Sequence, residues 1–365
     1  MIDSRSTIFI RLFGDIMTMD SNQCLLILNK LDAFIDHSLG LKPDNKFLSG
    51  FHYNQDLLKA SIANTYVETI GNRADSLHLA IKNVPISNIY WEYLEIVKTL
   101  GAKFELQEKD VVIAFNYTDE DFYGNSQGFL IPRWKGRDGG TKKFKFLTCS
   151  IVNSDIPQNI PLVSIPVWMG QNLTHAIAWC LTVIEPMVKS ISLVLLNKGF
   201  YSKELMLTLS SSKYPYLIFV PNISKFRDEL TRMEQTEKEK MHSRSIFDIT
   251  KKSLKSGNTL ALLQQIFNEQ NEKSYDWAFV TNQPEIDFDH IIASYKRRWK
   301  LEDGFRIQDE ACIKSKSTDV NIRFFYFAYE QALQLIWVIL YKDKFSFKIF
   351  MINLYEECLK RRKME

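Results

Sequence analysis

The sequence predicts an α/β fold in which a mixed sheet is flanked by helices, and three observations carry that expectation. Short apolar runs, VVIAF at 111–115, ISLVLL at 191–196 and YPYLIFV at 214–220, have the length and composition of strands buried in a sheet. Helix-length segments alternate with the later runs, as they do in α/β domains. Residues 1–100, ahead of the first run, instead carry the spacing of helices.

In chain order, residues 1–100 form a helical module broken at Gly40 to Pro43 and at Pro85, with Leu57, Leu58, Ile62, Tyr66 and Ile70 recurring at helical spacing. Whether two of these helices read DNA as a helix-turn-helix or only pack together stays open at this level. Residues 101–221 begin the sheet. The Val111 to Phe115 strand is followed by QGFLIPRW and KFKFLTCSIV, two antiparallel neighbours set apart by the glycine-rich turn Gly136 to Gly140. A helix from about Asn172 to Ser190 leads into ISLVLL, and YPYLIFV adds a further strand. Residues 222–274 read as an insertion. It opens with the charged stretch FRDELTRMEQTEKEKMHSRS, an exposed helix or mobile segment, and continues into the strand TLALLQQIF. Residues 275–345 hold the strand YDWAFVTN, a helix from about Asp287 and a long apolar helix from Ile322 to Tyr341; residues 346–365 form a basic C-terminal tail.

Composition removes several function classes. At 365 residues, 45% apolar and 24% charged, the chain can bury a sizeable core in roughly two to three domains, which excludes a disordered tail or a disulfide-stapled miniprotein. Five cysteines without a C-x-x-C pair predict free thiols in a reducing, cytoplasmic setting and speak against structural zinc. The six histidines lack H-x-x-x-H or H-E-x-x-H spacing, so a His-based metallohydrolase is not expected. No stretch approaches the about 20 apolar residues of a membrane span. Net charge is only +3, but Arg133, Lys135, Arg137, Lys142, Lys143 and Lys145 face the single acid Asp138 in one segment, either a solvated loop or a polyanion surface. Gly136, Gly139 and Gly140 fit a hairpin turn, and without G-x-x-x-x-G-K-[ST] nucleotide hydrolysis has no support. Trp134, Trp168, Trp179 and Trp299 read as packing residues.

One constellation suggests chemistry. Tyr295, Arg298 and Glu302 are spaced by three and then four residues, which places them on one helix face. Charged helix faces are ordinary, so context gives this one its weight. The apolar runs IAF and VLL each end in a polar residue, Asn116 and Asn197, near an aromatic-glycine turn, Phe122-Tyr123-Gly124 and Gly199-Phe200-Tyr201.

At these residues the sequence resembles the DDE transposases of insertion sequences, in the group marked by a Tyr-Arg-Glu-Lys signature around the third acid. Y-x-x-R-x-x-x-E is matched by Tyr295, Arg298 and Glu302, and LLNKGFYSKEL and IAFNYTDEDFYG look like the strands of the second and first acids. The resemblance spans roughly residues 60–340. It implies a ribonuclease H-like mixed sheet, an insertion before the third-acid helix, and DNA strand cleavage and transfer at transposon ends. It further implies DNA as partner, both transposon ends and target, with no membrane and with a homodimer on DNA as one arrangement. Two magnesium or manganese ions would be held at positions 116, 197 and 302, because clustered carboxylates gather the cations that activate the attacking oxygen and stabilise the leaving one. Tyr295, Arg298, Arg306, Lys135, Arg137, Lys142 and Lys143 would contact DNA backbone.

The chain departs from that pattern. The first two acid positions are Asn116 and Asn197, so only Glu302 keeps a carboxylate, and asparagine offers a carbonyl oxygen without charge. Metal binding is therefore expected to be weak and catalysis degenerate. The alternative function is a non-catalytic DNA-binding protein derived from a transposase. The sequence does not separate natural decay from deliberate replacement. Asp119 has the wrong strand parity to substitute for Asn116, and Asp121 is expected beyond the end of the strand. Asp309 stands where the family's lysine belongs, with Arg306, Lys314 and Lys316 as replacement cations.

Overall fold

The computed structural model describes residues 18–42, 48–122, 142–153, 155, 156, 158–168, 170–221, 242–251, 254–268, 273–283 and 288–363; at 121, 122, 142, 242–251, 254–268, 273–277, 288–290 and 292 it describes the backbone alone.

The N-terminal module consists of α1 (Ser21–Leu39), α2 (Gly50–Ala63), α3 (Ala74–Lys82) and α4 (Ile86–Lys103). Both expected breaks are helix boundaries. Gly40 closes α1 at φ +61, a conformation glycine adopts without Cβ strain, and Pro85 precedes α4. The helix read from Leu57 to Ile70 starts earlier and stops at Ala63. Asn64 turns to φ +47 there, and its N–H caps the carbonyls of Ala60 and Ser61. At the start of α2, Gly50 donates its N–H to Asp36 Oδ1 at 2.6 Å, and a Cβ on Gly50 would stand 2.1 Å from the backbone oxygen of Asp32. Gly50→Ala is therefore expected to cost about 1–3 kcal/mol by forcing α1 and α2 apart. Urea denaturation measures it; an unchanged midpoint would mean that the contact gives way freely.

The sheet follows. Its strands are β1 (Asp110–Phe122), β2 (Lys142–Ile151), β3 (Ile160–Pro166), β4 (Ser190–Leu196), β5 (Tyr216–Phe219), β6 (His242–Lys251), β7 (Leu254–Asn268) and β8 (Lys273–Thr281). Their spatial order is β3-β2-β1-β4-β5-β8-β7-β6. β1, β2 and β3 pair antiparallel, β4 and β5 run parallel to β1, and β8 and β7 return antiparallel. Helices α5 (Leu173–Ile184) and α6 (Lys203–Ser210) connect the parallel strands, with Asn172 and Ser202 accepting hydrogen bonds from the backbone N–H groups of His175 and Leu205 as their caps.

Several expectations change here. β1 runs to Phe122, well past Phe115, because its far half pairs with β2 through Lys142. The third antiparallel strand is IPLVSIP at 160–166, which the sequence reading missed. Its two prolines signal a loop, yet an edge strand tolerates them because one side of its ladder needs no donors. QGFLIPRW and the turn at Gly136 to Gly140 lie outside the described residues. The charged stretch lies outside the described residues as far as Met241; from His242 the chain is strand, where Ile246, Phe247, Ile249 and Thr250 favour a strand and β7 offers a pairing edge. TLALLQQIF and YDWAFVTN, each read as a strand, pair antiparallel.

The chain closes with α7 (Phe288–Arg297), α8 (Trp299–Gln308), α9 (Val320–Leu340) and α10 (Phe347–Arg362). Helix α9 is buried along almost its whole length and joins module to sheet. Phe325 stacks on Phe34 of α1 at 5.9 Å, and Phe327 on Phe146 of β2 at 4.4 Å. The segment read as a basic tail is helix α10, which completes the N-terminal module. Asn353 accepts from the Met19 N–H at 3.1 Å, Glu357 from Ser21 at 2.7 Å, and Arg361 reaches Asp32 at 3.0 Å. Asp32 also accepts from Asn54, whose own carbonyl accepts from Tyr329 on α9, so one buried polar chain ties α1, α2, α9 and α10 together. Helical module and sheet thus share one continuous core. Trp179 and Trp299, expected as packing residues, are each 39% exposed. No helix among the described residues is long and apolar enough to cross a membrane.

Candidate functional site

Strand order reverses at β1, with β2 on one side and β4 on the other, and ligands of open α/β sheets bind outside the carboxyl ends of strands at such a point. There β1 and β4 run in register, Ile113 beside Val194 through Phe115 beside Leu196. Asn116 and Asn197 are the next residues on each strand. Alternation sends Val112, Ala114 and Asn116 to one face, and Leu193, Leu195 and Asn197 to the same one. The apolar members pack there in one cluster with Tyr295 of α7 and Leu301 of α8. Leu301 thus lies over the face of the sheet that bears Asn116 and Asn197, and Glu302 follows it on α8 with its side chain exposed.

The asparagines touch. Asn197 Oδ1 accepts from the Gly199 N–H at 2.8 Å, which caps the short turn Lys198–Phe200 and fixes the amide's orientation. Its Nδ2 consequently faces Asn116 and donates to Oδ1 at 2.9 Å. Both side chains are half-buried, while Lys198 and Gly199 are exposed. Behind the turn, Phe200 stacks on Tyr117 at 4.7 Å and 7°, joining the two strand ends on the opposite face.

Tyr295, Arg298 and Glu302 are brought together across a break, because α7 ends at Arg297 and α8 begins at Trp299. Hydrogen bonds from Arg298 N to Tyr295 O and from Leu301 N to Arg298 O tighten the turn between them. Arg298 Nη2 still reaches Glu302 Oε1 at 2.8 Å, and the guanidinium lies 5.3 Å from the Tyr295 ring centre. Tyr295 is buried, packed on Phe219 and Phe279, and burial raises the pKa of its hydroxyl. Arg298 is only 7% exposed, whereas the Glu302 side chain is 60% exposed. Arg298 Nε is buried without a partner.

Other candidates are dispersed. Arg306 is exposed and paired with Asp303. Lys143 and Lys145 straddle Asp119 at 3.4 and 3.9 Å, and burial lowers the Lys145 pKa, so that part of the basic segment carries an internal counter-charge. Lys135 and Arg137 lie outside the described residues, as does the side chain of Lys142. Asp309 follows α8; its backbone oxygen accepts from Asn64 at 2.7 Å, and burial raises its carboxyl pKa. Lys316 sits 4.8 Å over the Tyr66 ring, and Lys314 bridges to Tyr66 through the backbone. Asp121 lies on the strand rather than beyond it, paired with Lys143, yet its odd parity sets it apart from Asn116 as that of Asp119 does.

Residues that sequence reading missed hold α8 in place. A Cβ on Gly304 would stand 1.9 Å from Asn159 Oδ1, and the Gly304 carbonyl accepts from Gln334 of α9 at 2.9 Å. Lys300 donates to the carbonyls of Asn153 and Ile156, while Asn153 bonds both Val112 N and Asp110 O of β1. A glycine inside an otherwise helical run is the sequence signal that could have exposed this close packing.

Two neutral amides and one carboxylate make a weaker donor set for a pair of divalent cations than three carboxylates do. Each asparagine oxygen already accepts one hydrogen bond, Glu302 is paired with Arg298, and one carboxylate offsets little of four positive charges. Among the described residues no group of three or more His, Cys, Asp or Glu side chains is placed to hold a metal.

The architecture is similar to that of piggyBac transposase, solved by cryo-electron microscopy as a synaptic complex with hairpin DNA. The TM-score is 0.57 at 11% sequence identity, over 94% of this chain and 82% of that one. At that identity the likeness is one of fold. No family model matches the chain, and no curated protein matches it.

Proposed function

We propose that this chain is a protein of the DDE transposase type, built on a ribonuclease H-like core, that engages DNA and does not cut it as it stands. The observation that carries the proposal is the contact of positions 116 and 197 at the reversal point of the sheet, on the face over which Tyr295 and Leu301 pack. The order β3-β2-β1-β4-β5, three antiparallel strands followed by two parallel ones, supports the ribonuclease H-like reading, and the likeness of fold to a transposase supports the class. An insertion-sequence origin rests on the Tyr295, Arg298 and Glu302 spacing. Loss of cutting follows from charge: two neutral amides cannot replace two carboxylates as ligands of cations.

The decisive measurement is nicking of duplex and hairpin-ended DNA in magnesium or manganese. The unaltered chain is expected to leave both intact, and the Asn116→Asp, Asn197→Asp double variant to regain hydrolysis. Cleavage by the unaltered chain that disappears in Glu302→Gln would sink the reading of positions 116 and 197.

A further inference from the structure

Glu330 stands in the middle of α9, 5% exposed, and takes no part in the site described above. Its Oε1 accepts from the Ile313 N–H at 2.7 Å and its Oε2 from Gln308 Nε2 at 3.2 Å, so it holds both the last residue of α8 and the connector that leads into α9. Among the described residues no cation pairs with it. Arg323, two turns earlier on α9, is engaged with Glu120 of β1 at 2.9 Å, and Lys314 on the connector is exposed. The other titratable groups that face Glu330 are acids: Glu120, Asp309 and the Cys312 thiol. Burial, with Glu120 and Asp309 acting in the same direction, holds the Glu330 carboxyl well above the usual glutamate range. Gln308 is 4% exposed, and its Oε1 is buried without a partner.

A buried carboxylate that no cation offsets is costly, and the neutral acid is the state of lower energy. A neutral carboxyl carries an O–H that needs an acceptor. A half-turn of the Gln308 amide presents its unpartnered oxygen where its nitrogen now stands, so the same separation serves an O–H···O bond. We propose that Glu330 keeps a proton at neutral pH and donates a hydrogen bond to Gln308, which fastens the helix that carries Glu302 to α9 by a proton-dependent clasp. Loss of that proton buries a negative charge beside Glu120 and Asp309. A carboxyl whose folded pKa lies above the unfolded value of about 4.3 favours folding below that value, and the advantage is lost as pH rises through the folded one. The clasp therefore holds in acid and neutral solution and loosens toward alkaline pH. This inference stands independently of DNA binding.

The test is a pH series of urea denaturation and infrared spectra on the full chain and two variants. From about pH 5 up to the folded pKa, the unfolding equilibrium constant of the unaltered chain should rise about tenfold per pH unit relative to that of Glu330→Gln, the slope of one proton held only by the folded state. The infrared spectrum at neutral pH should contain a protonated-carboxyl band that Glu330→Gln removes. Gln308→Leu keeps Glu330 and withdraws its acceptor, so it should move the same band to higher frequency; this readout does not depend on the folding of Glu330→Gln. At alkaline pH the amides of residues 304–308 should exchange faster in the unaltered chain than in Glu330→Gln. Parallel pH profiles of the unaltered chain and Glu330→Gln would overturn the proposal. So would a neutral-pH spectrum in which neither variant alters a protonated-carboxyl band.

Discussion

With Asn116 and Asn197 both replaced by aspartate, the protein is expected to lose about 2–4 kcal/mol of metal-free stability at pH 7 and to gain a magnesium-dependent rise in Tm that the unaltered chain lacks. Gly199 would still donate to one oxygen of the carboxylate at 197. Its other oxygen would then face that of position 116 across the 2.9 Å now spanned by an amide hydrogen bond. The lost bond is worth about 1 kcal/mol net. Repulsion raises an apparent pKa of the carboxylate pair, at about 1.4 kcal/mol per unit, and one to two units suffice for the total. A carboxyl whose folded pKa is raised favours folding below its unfolded value, and that advantage is lost as pH rises through the folded one. The gap between variant and unaltered chain should therefore be smallest near pH 4 and widest above pH 7. Thermal melts across pH, in EDTA and in a magnesium titration, measure it. Equal magnesium shifts in the two proteins would contradict a role for these positions in cation binding.

Arg323→Met is expected to cost about 2–4 kcal/mol, because it removes a buried charged donor and leaves Glu120, whose side chain is 31% exposed, without its partner. Arg323 is 4% exposed at the start of α9; it meets Glu120 of β1 at 2.9 Å and donates to the carbonyls of Ser317 and Ser315. Its guanidinium also covers the Phe144 ring at 4.4 Å. Burial raises the pKa of Glu120 even beside this arginine, so removing the cation leaves that carboxylate to be protonated or expelled. The residues that lead from α8 into α9 would lose their anchor at the same time. Urea titrations of Arg323→Met, Glu120→Gln and the double variant give the coupling. A loss below about 1 kcal/mol in the single arginine variant would show that the pair contributes little.

Much of the fold was legible because local signals and burial agree. The strands at Val111 to Phe115, Ile191 to Leu196 and Tyr216 to Phe219 are apolar runs that can hide only inside a sheet, and the boundaries at Gly40 and Pro85 follow from backbone chemistry that no distant contact reverses. The strand at 160–166 was not legible, since its prolines argue locally for a loop and only its position at the sheet edge permits them. Nor was the strand from His242, where charge suggested a helix or mobile segment and backbone pairing with β7 makes a strand. The segment 346–365 reads as a basic tail until α10 is seen to bury Phe347, Phe350, Met351 and Leu354.

At the candidate site the division is similar. Sequence alone determined which residues stand at 116, 197, 295, 298 and 302, and hence that two of the three positions proposed for the acids carry no charge. Tertiary structure decided what those residues do to one another. It set β1 beside β4 in a register that joins the asparagines, turned the Asn197 amide by way of the Gly199 N–H, and closed Arg298 onto Glu302 across a helix break. The physical reason is the range of the forces involved. Charge and backbone preference belong to single residues, whereas hydrogen-bond direction and desolvation depend on neighbours that are distant in the chain, such as Asn116 and Asn197, and only packing brings these into contact.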